Sequence, residues 1–449
     1  MDASKKTLVI GLDGVPCTLL NDYLEKGILP NLKEILSQGY SLRQMDASIP
    51  DVSSTSWTSF MTGVNPGEHG IFGFMELRPN TYKMAFPNLN DVQAPPVWDI
   101  LGNTVNNRSS SLYDKFNGKV PGGFRSIVLN IPQTFPAPAM NGILTAGFVC
   151  PDLRKGTYPE SAYDYLKSVG YMPDVDAAKA ASAPEAFFDE VFLSLDRRAE
   201  AYMHFLESES WDLFIGVITE TDRLHHFFFD AALDPGNRFH EKFMLFYKKA
   251  DEVIGRLFNR FMEATGGKGL FMTMSDHGFT VIDKEVYINN FLRESGFLNV
   301  NGSREYFEQI DSGTRAFAMD PARIYINLEG KYPFGAVKDS GREKAVAEIK
   351  EALGSLTRDG RPVVKSIFEK SELYSGPAAI KGPDLVCLAH DGFDLKGNMK
   401  RQDVFGNSHF RGMHTRHDAH CLLPGSIGAP GRLHIESLAE IILSNYREA

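Results

Sequence analysis

The sequence predicts an α/β fold in which a mostly parallel sheet is flanked by helices. Its first apolar run, "TLVIGLDG" at 7–14, is short, contains β-branched residues and is broken by glycine, as a buried parallel strand ending in a loop would be. The next run, "LPNLKEILSQGY" at 29–40, has leucines at helical spacing between an early proline and a glycine stop. Strand, loop and helix in this order begin an α/β fold.

The same alternation returns later in the chain. We interpret four more apolar runs as strands, at 210–222, 267–278, 322–330 and 383–392. Amphipathic patterns predict helices at 250–265, 341–356 and 435–446.

Two stretches depart from this alternation. Residues 75–125 are rich in Asn, Pro and Gly, and residues 151–200 mix helical patterns with Ala and acidic residues. We predict that a single catalytic domain spans 1–449 and that these two stretches are insertions that cap its core.

Composition and charge limit the classes of partner. The chain has 449 residues, 43% hydrophobic and 23% charged, with a formal net charge of −10. This is the composition of a globular protein. The negative charge and the lack of a long Lys/Arg block argue against a nucleic-acid polymer as partner. The oligomeric state is left open.

Cysteine usage and hydropathy bear on the cellular compartment. The four cysteines, at 17, 150, 387 and 421, are far apart and form no C-x-x-C pair, which predicts buried thiols in a reducing compartment. The N-terminal apolar run is too short for a signal peptide, and no run approaches the roughly 20 residues of a membrane span. We therefore expect a cytoplasmic location.

Potential metal ligands follow three of the predicted strands. Asp13 follows the first, Asp222 ends the run at 210–222, and Asp276 with His277 ends the run at 267–278. Ligands of open α/β sheets bind beyond the carboxyl ends of the strands. One aspartate at a strand end is commonly a helix cap, but three at equivalent places favour a metal site.

Histidines extend this pattern. Asp222 and His226 are four residues apart, so on a helical first turn they project from one face. Later, "GMHTRHDAH" at 412–420 offers His414, His417 and His420. Carboxylate with imidazole suits zinc or manganese, whereas calcium and magnesium prefer oxygen ligands. Two such ions about 4 Å apart would clamp a phosphoryl group and activate a coordinated hydroxyl.

A run of hydroxyl residues, "SSTSWTS" at 53–59, offers a nucleophile. A serine with no adjacent histidine base can attack when a metal binds its oxygen. By itself, however, the run is equally typical of the polar first turn of a helix.

Five ordered motifs resemble the alkaline phosphatase superfamily, and within it the type I phosphodiesterase/nucleotide pyrophosphatase group. They are "IGLDG" at 10–14, "SSTSWTSFMTGVNPGEHGI" at 53–71, "TDRLHHFF" at 221–228, "MSDHGF" at 274–279 and "GMH" at 412–414. The resemblance spans nearly the whole chain and implies a doubly wound, mostly parallel sheet flanked by helices, with capping insertions.

The resemblance also implies a role for each matching residue. One metal would take Asp13, Asp276, His277 and the nucleophile oxygen, and a second metal, which activates water, would take Asp222, His226 and His414. In nucleotide pyrophosphatases the nucleophile lies nine positions before the "TG" threonine, which here is Thr62 and gives Ser53. A small shift in alignment would give Ser54 or Thr55 instead.

The chain departs from its relatives at two places. Nucleotide pyrophosphatases have an asparagine after "HGI" that binds a phosphoryl oxygen, where this chain has "FGF" at 72–74. Metals, backbone N–H groups or another residue must then stabilise that oxygen. The hydroxyl run also lacks the C/S-x-P-x-R motif of formylglycine sulfatases, which argues against that activity.

We therefore predict a two-metal phosphoester hydrolase that acts on a small phosphoester, most simply a phosphodiesterase/nucleotide pyrophosphatase with a covalent phosphoserine intermediate. A phosphomonoesterase, a phosphonate hydrolase or a phosphotransferase on the same metals is the alternative, and a silent scaffold is a further one. A monoesterase needs extra positive charge, for which the candidates are Lys83, Lys115, Arg125 and Arg154.

Overall fold

A computed structural model describes residues 3–428 and 431–447, and these form two compact units. The first unit comprises Met1–Val64, Asn88–Phe279 and Phe410–Ala449, and the second comprises Asn65–Pro87 and Thr280–His409. Of the predicted insertions, 151–200 and 88–125 belong to the first unit and 75–87 to the second. The single catalytic domain and the capping role of the insertions stay predictions.

The described strands are, in chain order, β1 (Thr7–Leu12), β2 (Tyr40–Asp46), β3 (Glu76–Leu77), β4 (Met84–Ala85), β5 (Ser126–Ile131), β6 (Gly142–Ala146), β7 (Thr157–Tyr158), β8 (Leu213–Ile218), β9 (Leu270–Met274), β10 (Gly278–Tyr287), β11 (Ala316–Met319), β12 (Arg323–Ile326), β13 (Thr357–Arg358), β14 (Arg361–Pro362), β15 (Val364–Glu369), β16 (Leu385–Ala389), β17 (Gly392–Lys396), β18 (Phe405–Gly406), β19 (Gly412–Thr415), β20 (Ala419–Pro424) and β21 (Leu433–His434).

The described α-helices are α1 (Cys17–Glu25), α2 (Pro30–Ser37), α3 (Ser53–Thr62), α4 (Pro66–His69), α5 (Val97–Gly102), α6 (Ser111–Phe116), α7 (Glu160–Ser168), α8 (Lys179–Ser182), α9 (Pro184–Ser208), α10 (Glu220–Leu233), α11 (His240–Thr265), α12 (Ile288–Glu294), α13 (Arg342–Gly354), α14 (Lys370–Leu373) and α15 (Ser437–Asn445). Within 3–428 and 431–447, none of the helices is both long enough and apolar enough to cross a membrane.

The first unit is built on one large sheet, in the order β21-β2-β20-β9-β1-β8-β5-β6-β7. Strand β1 pairs in parallel with both β8 and β9, and β5 pairs in parallel with β8 and β6. Strand β20 is antiparallel to both of its neighbours, and β7 is antiparallel to β6. The predicted α/β class with a mostly parallel sheet flanked by helices is confirmed.

Apolar residues explain why these central strands lie inside the unit. Strands β1, β8 and β9 are buried along their whole length, as expected of parallel strands covered on both faces. Helix α11 packs on α2, α9 and α10, and it buries Phe243, Phe246 and Tyr247 at helical spacing. It begins ten residues before the predicted start at 250 because His240–Lys249 continue the same amphipathic pattern.

Two predicted strands lie outside the large sheet. The runs at 322–330 and 383–392 form β12 and β16, which pair with each other antiparallel in the second unit, in the sheet β11-β12-β16-β15. Helix α13 lies between β12 and β16 in the chain, as predicted. After this helix, however, the chain first forms β15 and then turns back into β16, which pairs antiparallel with β15. Apolar periodicity identifies a strand without identifying its partner. The prediction of two strands with a helix between them is confirmed, and the pairing of the strands, which it did not include, is antiparallel.

A fully buried ion pair fastens the start of α10 in the first unit. Arg198 of α9 donates from Nη2 to Glu220 Oε1 at 2.8 Å, and the two side chains are 1% exposed. Arg198 also donates to the Tyr171 hydroxyl at 2.7 Å, and Glu220 accepts from Ser194. Because Glu220 begins α10, this network holds the helical turn that also carries Asp222.

We expect Arg198→Ala to lower the free energy of unfolding by about 3–5 kcal/mol, because Glu220 would be left buried and unpaired. Arg197 is the matched control, since it is half-exposed and pairs with Glu200 on the surface. Its replacement by alanine should change the free energy by at most about 1 kcal/mol. Urea unfolding measures both values, and equal effects would contradict the assignment.

Candidate metal and nucleophile site

The predicted ligands meet at the carboxyl ends of three neighbouring strands of the large sheet. Asp13 directly follows β1, Asp276 and His277 follow β9, and Asp222 lies in the first turn of α10, just after β8. The strands are adjacent, in the order β9-β1-β8, so residues that are far apart in sequence come together.

The first group of side chains surrounds His277. Its Nε2 lies 3.2 Å from Asp276 Oδ2 and 3.8 Å from Asp13 Oδ1. The Ser53 hydroxyl is 3.1 Å from the same nitrogen. These atoms are close enough to be ligands of one ion.

The second group surrounds Asp222. Its Oδ1 lies 3.4 Å from His226 Nε2 and 3.5 Å from His414 Nε2, and the two imidazole nitrogens are 3.1 Å apart. His277 Nε2 is 4.0 Å from the same Asp222 oxygen, so His277 is within reach of both groups. The two groups are therefore adjacent.

In Asp13 and in Asp276, one carboxylate oxygen accepts a hydrogen bond from the protein and the other does not. Asp13 Oδ2 accepts from Trp57 Nε1 at 3.1 Å, and Asp276 Oδ1 accepts from the Gly14 amide at 3.0 Å. The other oxygens, Asp13 Oδ1 and Asp276 Oδ2, are buried and accept no hydrogen bond from the described residues, and the same holds for Asp222 Oδ1. Buried anionic oxygens without donors are costly, so this donor set fits a divalent cation.

The charges of the site favour the same conclusion. Burial raises the pKa of Asp13 well above its usual value, and the neighbouring charges of Asp276 and Asp222 raise it further. Burial also raises the pKa of Asp276, to about 6. Burial opposes ionisation of Asp222, but His226 and nearby cations lower its pKa overall. Carboxylates this close repel each other unless a cation lies between them.

Of the three candidate nucleophiles, Ser53 has its hydroxyl within hydrogen-bond distance of a ligand side chain. It is the first residue of α3, where the helix presents its N-terminal end. The hydroxyls of Ser54 and Thr55 are fully buried and have no hydrogen-bond partner among the described residues.

Contacts outside the two groups orient the ligands. His414 Nδ1 donates to the Asp51 carbonyl at 2.9 Å, which directs Nε2 towards Asp222. Trp57 is fully buried and also donates to Asp13. Its position one helical turn after Ser53 is the signal that could have revealed this contact.

Glycines in the first motif allow this close packing. A Cβ at Gly11 would lie 2.5 Å from the Trp57 ring, and Gly14 has a φ of +66°. The "IGLDG" run thus combines a strand, a ligand and the space for the tryptophan that orients that ligand.

Arg223 was not identified from the sequence. Its guanidinium binds Asp174 through Nε at 2.9 Å and Nη2 at 2.7 Å, and Nη1 is 3.6 Å from Asp222 Oδ2. It therefore brings a positive charge beside the second group. The sequence could not predict this contact, because Asp174 is 49 residues away from Arg223, in a stretch predicted only as an insertion.

The remaining histidines make other contacts. His225 donates from Nδ1 to the Gly14 carbonyl, His420 to the Val15 carbonyl, and His417 faces Asp46 Oδ1 at 3.0 Å. Burial lowers the pKa of His225 to about 3 and that of His420 to about 4, so both are neutral donors in the interior. His69, in the second unit, is buried and accepts from the Ile71 amide.

The mostly parallel sheet thus carries the predicted Asp and His groups at the carboxyl ends of its strands. The chain belongs to the type I phosphodiesterase/nucleotide pyrophosphatase family, whose model matches residues 7–417. It is therefore a phosphoester hydrolase. A comparison with curated proteins gives no match.

Solved structures share the fold. Phosphonoacetate hydrolase from Sinorhizobium meliloti 1021, in complex with phosphonoacetate, aligns with a TM-score of 0.63 at 15% identity, covering 98% of this chain and 95% of that one. Murine ectonucleotide pyrophosphatase/phosphodiesterase 5 aligns with a TM-score of 0.53 at 14% identity, covering 99% and 96%. At these identities the likeness concerns the fold.

We expect Trp57→Phe to weaken the binding of a divalent ion about 10–100-fold, because the ring still fills the core but Asp13 loses its donor. Trp98→Phe, at another buried tryptophan, is the control and should leave ion binding unchanged. Competition with a chelator measures the affinity for zinc. Equal affinities in the two variants would show that the Trp57–Asp13 contact does not orient a ligand.

Proposed function

We propose that this protein is a two-metal phosphodiesterase that works through a covalent phosphoserine on Ser53. The observation that carries the proposal is the position of the Ser53 hydroxyl, 3.1 Å from His277 Nε2, at the edge of two adjacent Asp/His groups. A serine so placed needs no neighbouring histidine base if a metal binds its oxygen.

Seven side chains would hold the two ions. Asp13, Asp276, His277 and the Ser53 hydroxyl form the first set, and Asp222, His226 and His414 form the second. Mixed carboxylate and imidazole donors suit zinc, with manganese as the alternative. Bound there, such ions would neutralise phosphoryl charge and lower the pKa of a coordinated hydroxyl.

The chain itself would contribute the nucleophile and its orientation. Ser53 Oγ forms a bond to phosphorus while the bond to the leaving alkoxide breaks, and the proton that the serine loses passes through solvent to the alkoxide. Water then attacks the phosphoserine, breaks its P–Oγ bond and releases a phosphate monoester, while Ser53 Oγ takes a proton and the hydroxyl is restored. The first N–H groups of α3, at Ser53 and Ser54, could stabilise a phosphoryl oxygen in place of the missing asparagine.

Three of the four basic residues that a monoesterase could use form ion pairs with glutamates. Lys115 pairs with Glu440 at 2.5 Å, Arg125 pairs with Glu209 at 2.7 Å, and Arg154 pairs with Glu160. Lys83 is exposed in the second unit. A monoester has one more negative charge than a diester to neutralise, so these pairings favour a small diester as substrate.

Other reactions on the same metals remain the alternative, namely those of a phosphomonoesterase, a phosphonate hydrolase or a phosphotransferase. The observation that favours them is the position of Arg223, which brings a positive charge beside Asp222. The sequence did not predict this charge, and a phosphate dianion could use it. A silent scaffold is disfavoured by the full set of Asp and His side chains, which a decayed site would be expected to lose.

We also propose that the protein works in the reducing cytoplasm. All four cysteines are free, and three are buried. Burial raises the pKa of Cys17 to about 11 and that of Cys387 to about 12, so these thiols are unreactive near neutral pH.

We expect Ser53→Ala to lower kcat at least about a thousandfold while zinc content is retained, because the nucleophile is lost but six ligands remain. Ser54→Ala and Thr55→Ala are matched controls, since both hydroxyls are buried without partners and should stay within about threefold of wild type. Near-wild-type turnover by Ser53→Ala, or a collapse in Thr55→Ala alone, would overturn the assignment.

A paired assay tests the substrate class. Protein loaded with zinc or with manganese should hydrolyse bis-p-nitrophenyl phosphate with a kcat/KM at least about tenfold above that for p-nitrophenyl phosphate, because little spare positive charge is available for the dianion. The reverse preference would contradict the diesterase and favour the monoesterase.

A further inference from the structure

Three basic side chains gather around one buried carboxylate in the second unit. Asp384 immediately precedes β16, and its side chain is 1% exposed. Its Oδ2 accepts from the Ile326 amide at 2.8 Å. Its Oδ1 accepts from Arg342 Nε at 3.0 Å and lies 3.3 Å from Lys370 Nζ. Both carboxylate oxygens of Asp384 therefore already have hydrogen-bond or ion-pair partners.

Lys331 is the third cation of this cluster. Its ammonium lies 5.3 Å from the centroid of the Tyr332 ring and 6.0 Å from that of Tyr325. Burial lowers the pKa of Lys331, while the charge of Asp384 raises it and that of Arg342 lowers it further, so all three groups share one electrostatic neighbourhood. Within the described residues, the Lys331 ammonium has no hydrogen-bond or ion-pair acceptor, although the Lys331 amide donates to the Leu328 carbonyl.

The charges of this cluster do not balance. Lys331, Arg342 and Lys370 bring three positive charges, and Asp384 brings one negative charge. Within the described residues, Arg342 and Lys370 both form their ion pair with Asp384, and Lys331 forms none. Holding partly desolvated like charges together costs free energy, and a bound anion would offset that cost. The surplus stands out in a chain with a net charge of −10.

We propose that Lys331, Arg342 and Lys370 form a binding site for a phosphate oxyanion, either free phosphate or the phosphoryl group of an organic ester. The surplus of two positive charges matches a phosphate dianion. Ammonium and guanidinium donors make short, charge-assisted hydrogen bonds to phosphate oxygens. The site lies in the second unit, whereas the Asp/His groups lie in the first, so it does not depend on the proposed function.

Calorimetric titration of inorganic phosphate into the metal-loaded full-length protein tests the site. Lys331→Met should lose at least about tenfold in affinity for one bound phosphate, because it removes a charge-assisted hydrogen bond. Lys344→Met is the matched control, since Lys344 is exposed and faces Glu348 at 3.9 Å, and it should bind as wild type does. Identical isotherms for wild type and Lys331→Met would overturn the proposal.

Thermal unfolding separates binding from a purely structural role. Without phosphate, Lys331→Met should be at least as stable as wild type, because it removes a partly buried cation that has no ion-pair partner and keeps an apolar side chain against the Tyr332 ring. Phosphate should raise the Tm of wild type and Lys344→Met by equal amounts, and that of Lys331→Met by less. A lower Tm for Lys331→Met in phosphate-free buffer, with an unchanged phosphate response, would assign Lys331 to packing alone and overturn the site.

Phenyl phosphate distinguishes the two sources of the oxyanion. Titrated into the Ser53→Ala protein, it should bind tighter than inorganic phosphate if the site accepts an ester, and weaker if it accepts the free ion. Both ligands should lose affinity when Lys331→Met is added. Turnover of the ester in this background would count against the proposed nucleophile and not against the second-unit site.

Discussion

Mutual repulsion among three buried carboxylates is the constraint on which the first unit depends. Asp13, Asp222 and Asp276 lie just beyond the carboxyl ends of neighbouring strands and face one another in an interior that raises the cost of charge. A protein alone would gain by separating them. Their arrangement becomes favourable when divalent cations share their oxygens, so folding of this edge of the sheet and ion binding are expected to be coupled.

The groups packed around the carboxylates hold them in this arrangement. Trp57 and the Gly14 amide each hold one oxygen of an aspartate, which leaves the other oxygen directed inward. Arg198 and Glu220 fix the turn that carries Asp222, at the cost of burying two charges. Rigid elements thus position the ligands, and Ser53 reaches the same place because α3 begins there.

The second unit has the opposite local charge. It has its own antiparallel sheet and its own hydrophobic core, which includes Ile324, Ile349 and Leu385. Within it, three basic groups lie near one carboxylate whose oxygens already have partners, whereas the first unit gathers carboxylates with buried oxygens that accept no hydrogen bond from the described residues. Each cluster is short of its counter-charge, and in both the shortage points to a bound ion as the missing partner.

The sequence by itself determined the α/β class and the residues at the strand ends, because strand and helix periodicity and the order of the motifs are local properties. Tertiary structure decided what local patterns do not contain. It brought the Ser53 hydroxyl to His277 and left the hydroxyls of Ser54 and Thr55 buried elsewhere, since one helical position changes the direction of a side chain by about 100°. It also moved β12 and β16 into a separate antiparallel sheet, and it brought Arg223 to Asp222 and Lys331 to Asp384. Strand partners and charge neighbourhoods depend on contacts between distant segments, which only the folded chain creates.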